Sequence, residues 1–584
     1  MPGVNTKQVL IIVAAVVAVI AAGLAVLEVS GTTAILSGNE AADESTSSAA
    51  ADGSGDVNPV RAKWVIEENR KPGTNKWRLT GPLNEGNIEG YSDSTSATHG
   101  ESVKLFVSTD APSYVVEAYR MGHYGGTQAR LVWRSDRLPG RRQAKPVIDD
   151  ETNMVEARWQ PSLTVTIDKS WPPGDYLFKL DASNGYGQYI PLVVRDDASK
   201  AAVVVMNAVT TWQAYNTWGG HSLYEGSSSG GYGAQGRAKV VSFDRPYKND
   251  SGSGDFLGNE LPMISFVESL GLDVTYITNI DLHERPQVLD NHNALVTLGH
   301  DEYWTLEMRR AVEGARNSGT NVIFFGANAV FRAIRLEPSA GTPSRREVNY
   351  RSAREDPLYG VDNSRVTVSW RDPPLNNPES KLIGTYYECN PVKADMVIAD
   401  SSAWVFEGTN MKNGDRIVDM VGPEYDRYTE DAPSPPGNVQ ILAHSPLTCR
   451  GKSSYSDMTY YSTASGAGVL GTGTNWWVSK LGPECRPPPC DNRVRTITEN
   501  VLKAFAVGPV GRAHPSEDNY DEVTARARAS SSTTSTRRGA TTTTTIVDEL
   551  PSVPEPPPLP FPTTPPLTSS VTTRPTSTSR TTAR

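Results

Sequence analysis

The chain has 584 residues and a formal net charge of −10, with 56 Lys and Arg against 66 Asp and Glu. Its basic residues are scattered and form no concentrated patch, which excludes nucleic acid as the expected partner. Setting aside an apolar N-terminus and two low-complexity ends leaves roughly 450 residues, enough for two or three domains with substantial cores.

In chain order, residues 1–8 form a short N-terminus and 9–27 an unbroken apolar run, VLIIVAAVVAVIAAGLAVL. As a helix this run spans roughly 28 Å, close to a bilayer core. Lys7 precedes it, Glu28, Glu40, Asp43 and Glu44 follow, and the next basic residue is Arg61. The positive-inside rule then predicts a single-pass cell-membrane protein with a cytoplasmic N-terminus and an extracytoplasmic body. A cleaved signal peptide is the competing reading. Residues 28–60 are rich in Ser, Ala, Gly and acid and read as a flexible stalk.

Residues 61–196 contain short alternating segments, SVKLFVS, YVVEAYRM, SLTVTI and DYLFKLD, separated by Gly, Pro and Asp turns. This pattern predicts an antiparallel β-sandwich. Over 197–510 the pattern shifts to compact apolar runs, AAVVVMN, DVTYIT, NALVTLG and NVIFFG, some joined by amphipathic helices such as TLEMRRAVEGARNSG. Such runs predict an α/β domain with a mostly parallel sheet, whose chemistry should collect at the carboxyl ends of the strands. Residues 511–584 are a Ser/Thr/Pro-rich tail read as disordered. Of the four cysteines, proximity pairs Cys389 with Cys449 and Cys485 with Cys490, although three connectivities exist.

The run NALVTLG ends in Gly299-His300-Asp301-Glu302-Tyr303-Trp304, before a helix that Thr305 can cap and Gly319 can end. The imidazole of His300 can take a proton or ligate a metal, and the carboxylate of Glu302 can bind a hard cation. A strand-to-helix turn also recruits polar residues for capping alone. The first strand leads into Thr211–Tyr224, dense in aromatic and hydrogen-bonding groups, and Ser242–Tyr247 carries a D-R-P-Y that reads most simply as a salt-bridged turn. No G-x-S-x-G elbow, H-E-x-x-H or P-loop is present, so serine hydrolase, zincin and nucleotide hydrolase readings lack support.

Taken together with IEGYSDSTSATHGESVKLFVST, YRMGHYGG, NVIFFGANAVFR and VGPEYDR, these segments resemble the C-terminal part of the large subunit of the iron-dependent amidohydrolase N,N-dimethylformamidase. The likeness runs from Ala62 to Val510. It implies a sheet domain like that of class I glutamine amidotransferases without their cysteine nucleophile. It also implies ferric iron bound by Tyr215, Tyr247 and Glu302, with Tyr224 the alternative to Tyr215. His300 becomes the assisting base and Glu424 the second acid. Two phenolates and a carboxylate suit a strongly polarising cation, because a phenol with an ordinary pKa near ~10 ionises only when such a charge compensates it.

The expected activity is hydrolysis of a carbon–nitrogen amide bond. The expected partners are a small amide-containing substrate, the membrane, a small companion subunit and further copies of the chain. Two rival readings remain open: a non-catalytic envelope protein that holds glycan or peptide through Trp212 and Trp218, and an amidotransferase-like enzyme acting on a sugar derivative.

Overall fold

The computed structural model describes residues 60–81, 86–226, 231–232, 236–483, 485 and 488–535. Its first part is built from two facing sheets. Strands Ile88–Ser92, Ser102–Thr109 and Leu163–Thr166 form one, antiparallel throughout. The other has Gly187–Arg195, Gly174–Ala182, Ser113–Met121 and Ala129–Arg134 in antiparallel order, with Ser96–Thr98 added parallel at one edge. Alternation dictates which side chains turn inward. Val103, Leu105 and Val107 from one sheet meet Val116, Phe178 and Val194 from the other, with Trp171 buried among them.

The second part centres on a seven-stranded sheet in the order Val274–Thr278, Val203–Asn207, Ala294–Gly299, Asn321–Gly326, Gly468–Gly471, Lys452–Ser462, Val439–Cys449. The first five strands are parallel and the last two antiparallel. Every residue of Val203–Asn207, Ala294–Gly299 and Asn321–Gly326 is buried, as continuous apolar runs require.

Two expectations are corrected here. The α/β layout resembling a glutamine amidotransferase gives way to a mostly β architecture. After Gly326 the chain returns through strands instead of crossover helices. Strands Arg332–Ser339 and Thr342–Val348 join Tyr303–Thr305 and Val240–Ser242, from earlier in the chain, in a four-stranded sheet, and small ribbons follow before the chain rejoins the main sheet at Val439. Nor is any helix among the described residues long and apolar enough to cross a membrane. That finding leaves the single-pass, cell-membrane assignment without support; the run 9–27 on which it rests, with the rest of residues 1–59, lies outside the described residues. In the region read as a disordered tail, residues Tyr520–Ser535 form a helix, and 536–584 lie outside the described residues.

The sandwich and the sheet share one core, in which Tyr119, Leu177 and Val193 pack with Val203, Val205 and Val274. Across it Arg120, on strand Ser113–Met121, meets Glu268, on helix Leu261–Ser269, at 2.5 Å with both side chains fully buried. Tyr276 donates to the same carboxylate at 2.6 Å. The disulfides Cys389–Cys449 and Cys485–Cys490 pair as proximity suggests.

Candidate active site

His300 and Glu302 sit where strand Ala294–Gly299 ends. Gly299 has φ 55°, and a Cβ there would fall 2.7 Å from that of Asn259, so the tight turn needs glycine. Beyond it Thr305 caps helix Leu306–Ser318 by accepting from Met308 N, and Gly319, at φ 113°, ends it. The backbone N–H of Glu302 donates to Thr211 Oγ1 at 3.0 Å, which locks this turn to helix Val209–Tyr215.

That helix delivers Tyr215, and the following loop returns to deliver Tyr224. Their rings stack with centroids 4.4 Å apart. Tyr215 OH donates to Glu302 Oε2 at 2.7 Å, and Tyr224 OH lies 2.9 and 3.0 Å from the two Glu302 oxygens and 2.9 Å from Tyr215 OH. The loop owes its shape to Arg245. This buried guanidinium donates to the carbonyls of Asn216 at 3.0 Å, Trp218 at 3.1 Å and His221 at 2.9 Å. Burial pulls the Arg245 pKa down to about 9. The D-R-P-Y motif is therefore a clasp around the loop through Arg245, while its Asp244 is salt-bridged to Arg345 at 2.8 Å, as the turn reading expects.

Tyr247 of that motif is not brought to the cluster. Its ring stands edge-on to Trp212 at 6.1 Å and lines a separate cavity with Tyr91, Phe243 and Arg345. The two phenols bonded to Glu302 thus come from one stretch of chain, Tyr215 at the end of helix Val209–Tyr215 and Tyr224 in the loop after it. Trp212 and Trp218 are buried, with indole N–H groups bonded to Glu260 and Glu89, and are not displayed as the glycan-holding reading requires.

His300 bridges two acids, its Nε2 lying 3.4 Å from Glu302 Oε2 and 3.2 Å from Glu424 Oε2. Glu424 is held by Asn390 Nδ2 at 2.8 Å and Asn475 Nδ2 at 3.1 Å. Burial on its own would lower the His300 pKa, but the Glu424 and Glu302 carboxylates outweigh it and hold the imidazole well above its ordinary value. For Glu424, burial is likewise outweighed, and His300 and Asn390 keep its carboxyl below the usual range. Both shifts favour an imidazolium facing a carboxylate. Burial and the Glu302 charge push the Tyr215 and Tyr224 phenols far up, so both keep their protons. Nearby positive charge comes from Arg332, 3.7 Å from Glu302 Oε1, and from Arg351, stacked 3.9 Å over the Tyr224 ring.

Among the described residues no group of three or more His, Cys, Asp and Glu side chains is placed to hold a metal ion. The donors that converge at Glu302 are phenolic instead. Sequence reasoning did not single out Asn328, Arg332, Arg351, Asn390 or Asn475. Asn328 and Arg332 fall inside NVIFFGANAVFR, one of the segments that carried the resemblance; the other three had no local signal.

The fold and site define a sandwich joined to a mixed sheet, with a buried cluster of phenols, carboxylates and one imidazole at a strand end. The chain belongs to the N,N-dimethylformamidase beta subunit-like, C-terminal family, whose model matches residues 115–492. It is similar to the N,N-dimethylformamidase beta subunit of Paracoccus aminophilus, 25% identical over 312 residues, covering 46% of this chain and 39% of that protein. The N,N-dimethylformamidase beta subunit of an Alcaligenes species is 24% identical over 312 residues with the same coverage. The match thus spans well under half the length of these relatives. A solved structure of an uncharacterized Bacillus anthracis protein aligns at 12% identity over 17% of this chain and 75% of its own, with a TM-score of 0.12, too slight a likeness to bear on the fold.

Proposed function

We propose that this chain is an iron-dependent hydrolase of a carbon–nitrogen amide bond, with Tyr215, Tyr224 and Glu302 as metal donors and His300 and Glu424 as the proton carriers. The observation that carries the proposal is the convergence of two phenolic oxygens and a carboxylate within 2.7–3.0 Å in the protein interior. This donor set fits the metal. The donors are hard oxygens, three negative charges accumulate once the phenols ionise, and both phenols sit where only a cation could make them do so. Bound there, ferric iron supplies a Lewis acid for the amide carbonyl.

The chain's own residues supply the rest. Glu424, anionic and fixed by Asn390 and Asn475, takes a proton from the attacking water as its oxygen bonds to the carbonyl carbon. His300 gives its Nε2 proton to the nitrogen as the carbon–nitrogen bond breaks, and the proton on Glu424 then restores His300 across the 3.2 Å between them. The products are a carboxylic acid and an amine. Because the relatives are named as beta subunits, the proposal includes a companion chain that completes the working enzyme.

The test is metal analysis and amine release on the purified full chain loaded with iron. One iron per chain, a visible phenolate-to-iron absorption band and amide turnover support the proposal. No retained iron, or turnover unchanged by Glu302→Ala, overturns it.

A further inference from the structure

Strands Tyr386–Cys389 and Tyr425–Arg427 pair as a short antiparallel ribbon in which Tyr387 stands directly opposite Asp426. Directly opposed residues share one face of a ribbon, and Asp426 shows where this face looks. Its Oδ1 accepts from Asn328 N at 2.8 Å, in the loop that runs on to Phe331 and Arg332. The ring of Phe331 lies 5.3 Å from that of Tyr387, and the N–H groups of Phe331 and Arg332 both donate to the Glu302 carbonyl at 3.0 Å. Glu424 immediately precedes the second strand of the ribbon. Tyr387 therefore stands on the wall that carries Glu424 and faces the turn that carries His300 and Glu302.

Its backbone is engaged on both sides, the N–H with Glu379 and the carbonyl with Arg371, yet its hydroxyl makes no hydrogen bond among the described residues. Nor is that hydroxyl sealed in. Tyr387 is 8% exposed and its oxygen still reaches accessible space, as do the side chains of His300 and Glu424 at 11% and 10%, whereas Glu302 is closed off at 1%. Burial, and after it the Glu424 and Glu302 carboxylates, hold the phenol well above its ordinary value, so it stays a neutral O–H donor. A donor left unmatched beside reacting groups is one that a substrate atom can use. In the hydrolysis proposed above the attacking water faces Glu424 and the nitrogen faces His300. The carbonyl oxygen is the atom that gains negative charge, and it accepts a hydrogen bond more strongly as that charge builds.

We infer that the Tyr387 hydroxyl donates a hydrogen bond to the carbonyl oxygen of the amide and strengthens that bond as the tetrahedral intermediate forms, which makes Tyr387 a further catalytic residue. The inference rests on the hydrolase reading above. The phenol keeps its proton throughout, so the bonds made and broken at the carbon are those already given.

The experiment compares Tyr387→Phe with the wild type, each as the iron-loaded full chain, on acetamide and N-methylacetamide by release of ammonia or methylamine. Phenylalanine keeps the ring against Phe331 and removes only an unpaired hydroxyl, so the urea midpoint and the bound iron should match the wild type. The kcat should fall about tenfold or more while KM changes by less than about twofold, because the bond matters most once the oxygen is charged. Calorimetry of acetate, the charged product, should show about tenfold weaker binding to the variant. Tyr386→Phe, on the opposite face of the ribbon, should leave both quantities unchanged. An unchanged kcat or acetate affinity in Tyr387→Phe, or a loss matched by Tyr386→Phe or by lost iron, overturns the inference while the hydrolase reading stands. Absence of turnover in the wild type defeats the hydrolase reading and this inference with it.

Discussion

Tyr224→Phe, set against Tyr247→Phe, tests which phenols serve the site. Tyr224 OH bridges both Glu302 oxygens at 2.9 and 3.0 Å. Removing it deletes a hydrogen bond to a charged group, which costs about 1.5–3 kcal/mol of stability. The metal-dependent part is larger in relative terms. With free iron at 100 times its dissociation constant, binding adds about 2.7 kcal/mol to the wild type. If losing one anionic donor weakens binding by about 100-fold, the same iron concentration adds only about 0.4 kcal/mol to Tyr224→Phe. Urea denaturation with and without iron reads both terms. Tyr247→Phe, altered in a ring that packs on Trp212, should keep the full iron-dependent gain. An unchanged gain in Tyr224→Phe, or its loss in Tyr247→Phe, would refute the assignment.

Three further predictions concern the frame around the site. Arg245→Met leaves the carbonyls of Asn216, Trp218 and His221 without their shared donor and should cost about 3 kcal/mol or more in denaturant unfolding, with loss of iron retention as the loop loosens. Glu268→Ala strands the fully buried Arg120 and should cost about 3–5 kcal/mol; a loss below about 1 kcal/mol would show that the ion pair is not what joins sandwich to sheet. Burial pushes the Asp175 carboxyl up to about 8. The folded state therefore holds this proton more tightly than the unfolded one, and the stability it confers is complete below about pH 4 and lost as pH rises through about 8. Asp175→Asn should accordingly stabilise the protein more at pH 8 than at pH 5 in paired thermal melts, and an equal effect at the two pH values would contradict the shift.

Local pattern carried the parts of this protein that depend on neighbours in the chain. Period-two alternation in SVKLFVS and DYLFKLD marked the sandwich, because strand faces follow from backbone geometry alone. His300 and Glu302 were legible together because one turn after a buried strand holds both, and Thr305 and Gly319 bounded the next helix through capping chemistry that needs no tertiary partner. Several short segments in a fixed order sufficed for the family.

Tertiary structure decided what depends on distance through space. Tyr247 lies in a motif as suggestive as the one around Tyr215, yet Arg245 turns that motif into a clasp, and it is Tyr224 that the clasped loop brings to Glu302. Asn328, Asn390 and Asn475 come from three separate loops and carry no periodicity, so only folding reveals that they converge on Glu424 and His300. The apolar runs after Ala201 fit buried strands, but whether helices or further strands link them is set by the long excursion between Gly326 and Val439, where strand pairing across distant residues makes the fold mostly β. A sequence by itself determines what each residue offers; the closed backbone decides which of those offers meet within hydrogen-bonding distance.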